Sequence, residues 1–443
     1  MLNVLFVIPR YLIYGNKHYV MPMGILYVSA YIKRSHGANV FTLNLNHRNG
    51  DEREVLRKAI VEYKIDLVGL GGLSGEYSDL RRISEWLSED FPNLLISLGG
   101  GIMTADPTTT MRAFPEVTYG IIGEGELTLD ELFRCIDGGG IGVEKIHGLA
   151  IRKDRDILIT DRREEIQDLD SLPIPDFDGF DYGEYLENNP DLSDEGKKYS
   201  QVSVIGGRSC KYNCTFCFHP SGSRYRQRSL DSIFHEIDYL VERYDISYIA
   251  LREELFATDN ERVREFCRRV AYYDFDWSIQ LRIDNVNDEL VSLLEKTRCR
   301  YIFLGIESAD NDVLKSMRKR ITIGQIEKAL MKLTEAGLRF RSGVILGDTV
   351  ETYDKALFTL EWFEKYRHVY SLYADMIIAF PGSTLYKRAI AAGIIPDPVR
   401  FLQDGCPVVN VSKMSDEEFK RIVDRLSEIN DRRYNVKFYR MTT

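Results

Sequence analysis

Residues 206–217 read Gly-Gly-Arg-Ser-Cys-Lys-Tyr-Asn-Cys-Thr-Phe-Cys and directly follow a β-like run at residues 201–205. This stretch holds three of the seven cysteines of the chain, Cys210, Cys214 and Cys217, in the spacing C-x3-C-x2-C. A cubane iron–sulfur cluster usually takes four cysteine ligands, so three thiols leave one iron open to a small molecule. The stretch therefore predicts a reactive [4Fe-4S] cluster held by these three cysteines.

Two other interpretations of the three cysteines stay open at this point. A structural zinc site needs a fourth Cys or His, and His219, two residues after Cys217, is the nearby candidate. The second alternative is a group of free thiols that share no metal. Disulfides are not expected, because the cysteine count is odd and residues 1–8 lack the features of a secretory signal. We therefore expect a cytoplasmic, reduced protein.

Length and composition limit the possible functions. The 443 residues exceed one average domain and predict two domains with extensions. With 58 basic and 68 acidic residues the net charge is −10, which argues against a broad nucleic-acid interface. No apolar run reaches the roughly 20 residues needed to span a bilayer. The expected partner is a small-molecule substrate.

The first part of the chain, residues 1–145, alternates short β-branched runs with amphipathic helical stretches, which predicts a doubly wound α/β domain. Glycines follow its strands, at Gly71, Gly99–Gly100 and Gly123. Ligands of such sheets bind outside the carboxyl ends of the strands, although glycines there can also serve tight turns alone. Residues 146–200 are irregular and read as a connector.

The alternation restarts at residue 201 and gives six strand–helix repeats up to residue 395. Six repeats predict an open, partial (β/α)6 TIM-like barrel, in which the chemistry lies at the carboxyl ends of the strands. The cysteine loop follows the first of these strands, so we expect the cluster at that mouth. Residues 396–443 add a helical extension, with an amphipathic helix at 416–430 as a cap or lid.

These motifs together resemble the radical S-adenosylmethionine (SAM) enzymes, and within them the subgroup with an N-terminal cobalamin-binding domain. The resemblance covers nearly the whole chain. The barrel motifs that carry it are C-x3-C-x-Φ-C at Cys210–Cys217, Y-R-x-R-S at Tyr225–Ser229 and G-I-E-S at Gly305–Ser308. In addition, G-D-T-V-E-T at Gly347–Thr352 and F-P-G-S at Phe380–Ser383 stand where the family has G-L-P-G-E-T and Y-P-G-T. In the first domain G-G lies at Gly99–Gly100 and G-E-G-E-x-T at Gly123–Thr128.

As cofactors the resemblance implies a [4Fe-4S] cluster, SAM and cobalamin, and as a partner an external electron donor such as flavodoxin or ferredoxin. It assigns cofactor contacts to residues near the strand ends of both domains, namely Phe216, Arg226, Glu236, Arg282, Glu307, Ser308, Gly71, Ser74, Gly99, Gly100, Gly123 and Glu124. For Arg282 a structural ion pair with the Glu253–Glu254 region is an alternative, and for Glu307 a salt bridge inside the barrel.

The implied reaction begins with reductive cleavage of SAM to a 5′-deoxyadenosyl radical. Our first hypothesis is cobalamin-dependent methylation of an unactivated carbon in a small metabolite or natural-product intermediate. The alternative is cobalamin-independent dehydration, deoxygenation, epimerisation or rearrangement, with the first domain as a scaffold. Glu253, Glu254, Tyr225 and Asp348 are then candidates for proton transfer or for purely structural roles. A third, non-enzymatic hypothesis is an iron–sulfur sensor, which leaves the cofactor-like motifs on one barrel face without a purpose.

Some positions depart from the subgroup. The first domain lacks D-x-H-x-x-G, whose histidine would bind cobalt, and we expect His18 and His47 to be surface histidines. Any bound cobalamin would then lack a histidine ligand from that motif. Glu253-Glu254 stands where the family usually has Asp-Asp, and the proline of G-L-P-G-E-T is missing.

Overall fold

The computed structural model describes residues 1–11, 19–188, 191–192 and 198–439. Its first sheet has seven strands in the order β2-β1-β3-β4-β5-β6-β7, and the first five run parallel. The strands are β1 (Asn3–Ile8), β2 (Asn39–Asn44), β3 (Leu67–Gly71), β4 (Leu95–Gly99), β5 (Tyr119–Ile121), β6 (Leu149–Lys153) and β7 (Asp156–Ile159). Six helices connect or cover them: α1 (Met23–Ser35), α2 (Glu52–Tyr63), α3 (Tyr77–Asp90), α4 (Gly101–Ala105), α5 (Pro107–Ala113) and α6 (Gly125–Asp137). The doubly wound first domain is confirmed.

The sheet does not stop at residue 145, where the sequence predicted a connector. The antiparallel hairpin β6–β7 extends it beyond β5. Arg152 in this hairpin donates from Nε to the Val117 carbonyl at 2.9 Å and from Nη2 to the Phe114 carbonyl at 3.0 Å. These bonds satisfy carbonyl groups beyond α5 and fix the hairpin to the domain. The strands were missed because both are short and a charged turn separates them. The connector that follows carries α7 (Tyr182–Asn188), β8 (Asp191–Leu192) and β9 (Lys198–Tyr199).

The second domain is the predicted partial barrel. Its six parallel strands follow one another in chain order: β10 (Gln201–Val204), β13 (Tyr248–Leu251), β14 (Asp276–Leu281), β15 (Cys299–Glu307), β16 (Phe340–Leu346) and β17 (Leu372–Met376). A separate short ladder joins β11 (Gly207–Arg208) to β12 (Arg226–Gln227). The helices are α8 (Leu230–Arg243), α9 (Asn260–Val270), α10 (Asp288–Glu295), α11 (Asn311–Ser316), α12 (Ile323–Glu335), α13 (Tyr353–Tyr370) and α14 (Thr384–Ala391).

Two more helices, α15 (Pro398–Gln403) and α16 (Asp416–Asn430), complete the described chain. Ser415 caps α16 by accepting a hydrogen bond from the Glu418 N–H, and Glu418 bonds back to the Ser415 N–H at 2.8 Å. The helix lies along α13 and β17, and Asn430 donates to the Ala374 carbonyl at 2.9 Å. It is therefore fixed to the wall of the barrel. Within the described residues no helix is long and apolar enough to cross a membrane.

Candidate cofactor site at the seam of the two domains

The cysteine loop leaves β10 at the carboxyl-terminal mouth of the barrel. The Gly206 N–H donates to Oε2 of Glu253 at 2.9 Å, which ties the start of the loop to the end of β13. Ser209 then takes a left-handed backbone conformation with φ of 66°, which is uncommon for a residue with a side chain. Further on, the Thr215 N–H donates to the Met317 carbonyl at 3.1 Å. The loop is thus held on both sides by the barrel.

The number and kind of available ligands favour a multi-iron cluster over one zinc ion. Among the described residues, the sulfur atoms of Cys210, Cys214 and Cys217 do not all lie within 4.8 Å of one another. Cys214 and Cys217 lie within hydrogen-bonding distance of each other, so Cys210 is the thiol that lies apart. His219 is also occupied, since its Nε2 lies 3.1 Å from the Tyr212 carbonyl and its Nδ1 bonds to Glu254. The zinc alternative is therefore disfavoured and the donor set fits a [4Fe-4S] cluster.

Positive charges surround the thiols. A hydrogen bond with Cys217, and the positive charges of Lys319 and Arg282, lower the pKa of the Cys214 thiol. Both cationic side chains are buried. The thiolate is the form that binds iron, so this environment prepares Cys214 for its predicted role.

Arg282 was predicted to contact a cofactor or to pair with the Glu253–Glu254 region. In the structure its Nε donates to Asp284 at 2.9 Å and its Nη2 donates to the Lys319 carbonyl at 2.8 Å. Its guanidinium lies 3.6 Å from the centre of the Tyr212 ring, inside the cysteine loop. The alternative pairing with Glu253 or Glu254 is therefore wrong, because Asp284, two residues away, takes the charge.

Glu307 ends β15 next to the cysteine loop. Its φ is 67°, and the pairing of β15 with β16 shifts register between Gly305 and Glu307. Such an irregularity re-aims a side chain, here toward Lys319, whose Nζ donates to Oε1 of Glu307 at 2.6 Å. The salt bridge that we kept as an alternative is therefore present. The predicted contact of Glu307 with SAM stays a prediction, and its backbone strain is typical of functional positions.

A cavity of about 580 Å³ lies at the carboxyl ends of the first sheet and opens toward the cysteine loop. Five residues predicted to contact a cofactor line it, namely Gly71, Gly99, Gly100, Gly123 and Glu124, whereas the buried Ser74 lies outside the lining. At Gly123 a Cβ atom would meet no other atom within 4 Å, and at Gly71 nothing nearer than 3.8 Å. The glycines therefore open the space that a large planar ligand such as cobalamin requires.

Barrel residues close the other side of the same cavity. Ile205, Arg208, Pro220 and Ser221 lie on or next to the cysteine loop and line it together with the glycines. No histidine of the described residues is among the lining, which agrees with the missing cobalt-ligand motif.

The expectation of a surface position for His47 is wrong, since it is half-buried and 2.8 Å from the Tyr19 hydroxyl. Burial lowers the pKa of His47 to about 4, and His18 lies outside the described residues.

Glu124 and Arg226 contact each other at the edge of the cavity. Oε1 of Glu124 accepts from Nη1 of Arg208 at 2.6 Å and from Nη1 of Arg226 at 2.9 Å, and Oε2 accepts from the Ile166 N–H at 2.6 Å. Glu126 adds a second carboxylate on Arg208 at 2.5 Å. These four side chains, which we name the interdomain clamp, join the first domain to the barrel. The placement favours a role in positioning the domains for Glu124 and Arg226.

Glu236 lies away from any opening. It is wholly buried, and its Oε2 accepts from Nη1 of Arg228 at 2.5 Å. The same Arg228 nitrogen lies 3.3 Å from the hydroxyl of Tyr27, a residue of the first domain. A direct cofactor contact of Glu236 is therefore not supported by its position, because no surface of the carboxylate faces a ligand.

The four candidates for proton transfer do not form one group. Glu253 is buried beneath the cysteine loop, and burial raises its pKa to about 7. Glu254 bonds to His219, and the Tyr225 hydroxyl donates to the Phe256 carbonyl at 3.1 Å. Asp348 is wholly buried after β16, where it accepts from the Val350 N–H at 3.1 Å. Tyr225 and Asp348 are thus placed for structural roles, and Glu253 is the candidate with a shifted pKa next to the cluster loop.

Two predicted SAM contacts lie within packed regions of the mouth. Phe216 packs, partly buried, against the apolar core that includes Met317 and Ile377. The Ser308 hydroxyl lies 3.2 Å from the Thr359 hydroxyl and accepts from the Asp310 N–H at 3.1 Å. Their contacts with SAM stay predictions.

Sequence reasoning missed three residues that the site uses. Lys319 comes twelve residues after Glu307 and follows no motif that we recognised, although it neutralises that carboxylate. Glu126 stands inside the G-E-G-E motif, so the motif itself was a signal. Tyr27 lies in α1, where only its burial between Arg208 and Arg228 reveals its role.

Comparisons with known proteins agree with this arrangement. Residues 204–363 match the family model of the radical SAM superfamily, and residues 16–133 match that of the B12 binding domain. An uncharacterized methyltransferase of Pyrococcus horikoshii is 24% identical over 378 residues, 84% of this chain and 79% of that protein. The anaerobic magnesium-protoporphyrin IX monomethyl ester cyclase of Rubrivivax gelatinosus is 25% identical over 370 residues, 80% of this chain and 64% of the relative. This chain therefore spans less than two thirds of the length of the cyclase.

A solved structure shares the fold. The radical SAM methyltransferase TsrM of Kitasatospora setae, with cobalamin and a [4Fe-4S] cluster bound, superposes with a TM-score of 0.69 at 17% identity. The match covers 89% of this chain and 75% of the TsrM chain. The two family matches fall on the two domains that meet at the cavity, and the motifs on both sides of it are those of one enzyme class. The chain therefore carries a B12-binding domain followed by a radical SAM domain, the arrangement of a radical SAM enzyme.

Proposed function

We propose that the protein methylates an unactivated carbon of a small molecule in a cobalamin-dependent radical SAM reaction. The observation that carries the proposal is the shared cavity. Glycines of the first sheet and residues of the cysteine loop line one space, so ligands held by the two domains would face each other. The methyltransferase relative in Pyrococcus horikoshii supports the same reaction class.

When bound, the cluster supplies the electron that cleaves SAM and cobalamin supplies the methyl group. Cys210, Cys214 and Cys217 would hold the cluster, and the strand-end glycines of the first sheet would hold cobalamin. Lys319 and Arg282 keep positive charge beside the thiolates. These residues orient the reactants, which is what the protein contributes in such chemistry.

Apolar packing closes part of the seam beside this space. A Cβ atom added to Gly101 would lie 3.5 Å from Pro220 and 3.7 Å from the Phe218 ring, and at Gly382 a Cβ would meet the same ring. Phe218 and Pro220, directly after the third cysteine, therefore fill the contact between the two domains. A dry site protects a radical from side reactions with solvent.

A cobalamin-independent rearrangement or ring-forming reaction is the second candidate. The absence of histidine from the described lining of the cavity favours it, because cobalt would then have no imidazole ligand from those residues. The cyclase relative points to a radical outcome other than simple methyl transfer. On either candidate we place the enzyme in the cytoplasm with a flavodoxin or ferredoxin as electron donor.

The absorption spectrum of the protein after incubation with hydroxocobalamin and gel filtration tests the proposal. We expect cobalamin to co-elute with the wild-type chain in a ratio of about one to one. Gly71→Leu should abolish co-elution, because the leucine side chain would enter the cavity. Gly75→Leu is the matched control, since Gly75 is exposed and lies outside the lining.

A product assay separates the two candidates. The loaded enzyme is incubated with methyl-deuterated SAM, a reductant and a small-molecule extract of the source cells. Methylation predicts both 5′-deoxyadenosine and S-adenosylhomocysteine, with a deuterated methyl group in a product seen by mass spectrometry. Formation of 5′-deoxyadenosine without S-adenosylhomocysteine would reject methylation in favour of the second candidate.

A further inference from the structure

The inner face of the barrel carries a row of side chains with no role so far. In the parallel register Gln280 of β14 lies beside Phe303 of β15, and Phe303 lies beside Arg341 of β16. Neighbours in such a row point to the same face of a sheet. The opposite face packs on the helices, as the contact of Trp277 with Phe266 of α9 demonstrates. The row therefore faces the lumen of the barrel.

This part of the lumen is open. Gln280 and Arg341 are exposed although both lie in the middle of a six-stranded sheet, and Phe303 is half-buried. Closed TIM barrels fill the same positions with layers of bulky side chains. Two exposed polar residues in this row thus border a space that solvent or a ligand can enter.

Tyr373 of the last strand, β17, forms the next wall. Its ring lies over Gly343, where an added Cβ would come within 2.4–2.6 Å of three ring carbons, and the residue is still 47% exposed. Glu307 and Arg341 are both near enough for their charges to act on its hydroxyl, and Gly343 lies two residues after Arg341 on the same strand. The lumen therefore has an aromatic wall beside the cation.

The charge of Arg341 is not compensated. The carboxylates on the same inner face have other partners: Asp276 pairs with Arg298, Glu307 with Lys319 and Asp375 with Arg432. Arg341 forms neither a salt bridge nor a hydrogen bond with any described residue. A guanidinium with five free donors inside a concave site is suited to a carboxylate or a phosphate.

We infer that the substrate carries an anionic group, a carboxylate or a phosphate, and that Arg341 binds this group in the lumen while Tyr373 and Phe303 contact the adjoining part of the substrate. The inference rests on the proposed function, since it names the class of molecule that this site would methylate. The anion lies deep in the barrel and the reacting carbon points toward the cysteine loop.

Phenyl phosphate and benzoate are suitable probes, because each joins a ring to one anionic group. Their binding to the full-length, cluster-loaded protein is measured by saturation-transfer NMR without SAM or cobalamin, so the result does not depend on methylation. We expect at least one of the two to bind at least tenfold more tightly than phenol, and the tighter probe identifies phosphate or carboxylate. Arg341→Gln should weaken its binding about tenfold or more, because a charge-assisted hydrogen bond is lost.

Two variants complete the design. Arg341→Lys, which keeps the charge, should retain part of the affinity, and Arg421→Gln, which removes an exposed arginine of α16, should leave it unchanged. Equal binding by Arg341→Gln and the wild type would overturn the inference, and so would a wild-type protein that does not prefer either anion over phenol. The cluster iron content, measured on the same samples, should be equal in all variants.

Discussion

At the scale of single residues, the loop after β16 contains two buried carboxylates of unusual character. Asp348 and Glu351 are both wholly buried, and each has one carboxylate oxygen without a partner among the described residues. Glu351 accepts a hydrogen bond from the Gly347 N–H with its other oxygen. Burial raises the pKa of Glu351 from 4.5 to about 7, and the neighbouring Asp348 adds to the shift. Below a pH of about 7, the Glu351 carboxyl group is therefore protonated in the folded state.

A raised pKa in the folded state makes stability fall as pH rises. Between pH 4.5 and about 7 the folded state keeps a proton on Glu351 that the unfolded state has lost, so the free energy of unfolding decreases across this window and is constant above it. Glu351→Gln should remove this contribution to the pH dependence. The free energy of unfolding at pH 8, relative to that at pH 4, should therefore be higher in the variant than in the wild type by up to about 3 kcal/mol.

Urea unfolding at both pH values measures this effect. Glu335→Gln, which changes an exposed glutamate at the end of α12, serves as the control and should not alter the pH dependence. If Glu351→Gln destabilises the protein equally at pH 4 and pH 8, the carboxylate is ionised in the folded state and our description of the loop is wrong.

Single residues were also where sequence reasoning was weakest. The G-L-P-G-E-T motif located the loop, yet Asp348 was selected as a proton donor and Glu351 was not. The burial of both depends on distant chain: the Lys413 N–H bonds to the Glu351 carbonyl, and Phe419 of α16 lies against Gly347. No local pattern contains such long-range contacts. In the same way Lys319 has no signature, and only the folded structure brings it to Glu307.

At the scale of the elements, strand ends rich in glycine define the cavity. Gly100 has φ of 81°, and a Cβ there would lie 2.6 Å from the carbonyl oxygen of Gly72 and 2.8 Å from its nitrogen. The backbone after β3 and the backbone after β4 are therefore in direct contact. This contact sets the spacing of the two strand ends that carry Gly71 and Gly99.

Gly100→Ala should destabilise the protein by about 2–4 kcal/mol, since a rigid backbone clash adds to the strain of a positive φ. Gly50→Ala is a matched control, because Gly50 has φ of 93° but open space around it, and should cost about 1 kcal/mol. Thermal unfolding gives both values, and the cobalamin spectrum reports on the cavity. Similar losses for the two variants would contradict the close backbone contact.

Most elements were predictable because their signals are local. The six barrel strands and the alternating helices follow hydrophobic periodicity, and α16 was predicted with the bounds that the structure has, 416–430. The sequence did not predict the hairpin β6–β7, because Arg152 and Lys153 interrupt its apolar pattern. Its strands are stabilised by pairing with β5, which is a long-range contact.

At the scale of the whole molecule, the interdomain clamp holds the two cofactor-binding halves in register. Glu124, Glu126, Arg208 and Arg226 are nearly excluded from solvent, with 3–12% of each side chain exposed. The charges balance as two carboxylates against two guanidinium groups. Removing Glu124 takes from Arg226 its nearest carboxylate and leaves it Glu165, 3.6 Å from its Nε, while Arg208 keeps Glu126.

Glu124→Gln should therefore destabilise the protein by about 2–3 kcal/mol, because buried charge-assisted hydrogen bonds are lost, and it should loosen the seam between the domains. Glu131→Gln breaks a surface pair with Arg163, in which Glu131 is 51% exposed, and should cost about 1 kcal/mol or less. Urea unfolding compares the two variants, and limited proteolysis of the connector reports on the seam. A Glu124→Gln protein as stable as Glu131→Gln would show that the clamp is not needed for domain docking.

The central claim concerns the cysteine loop, and iron content together with 5′-deoxyadenosine formation tests it most directly. The wild-type chain, Cys214→Ala and the control Cys135→Ala are reconstituted without oxygen and incubated with SAM and dithionite. We expect about four irons per chain and 5′-deoxyadenosine from the wild type and from Cys135→Ala, and neither from Cys214→Ala. A Cys214→Ala protein that still forms 5′-deoxyadenosine, or a wild-type chain that binds zinc instead of iron, would contradict the account.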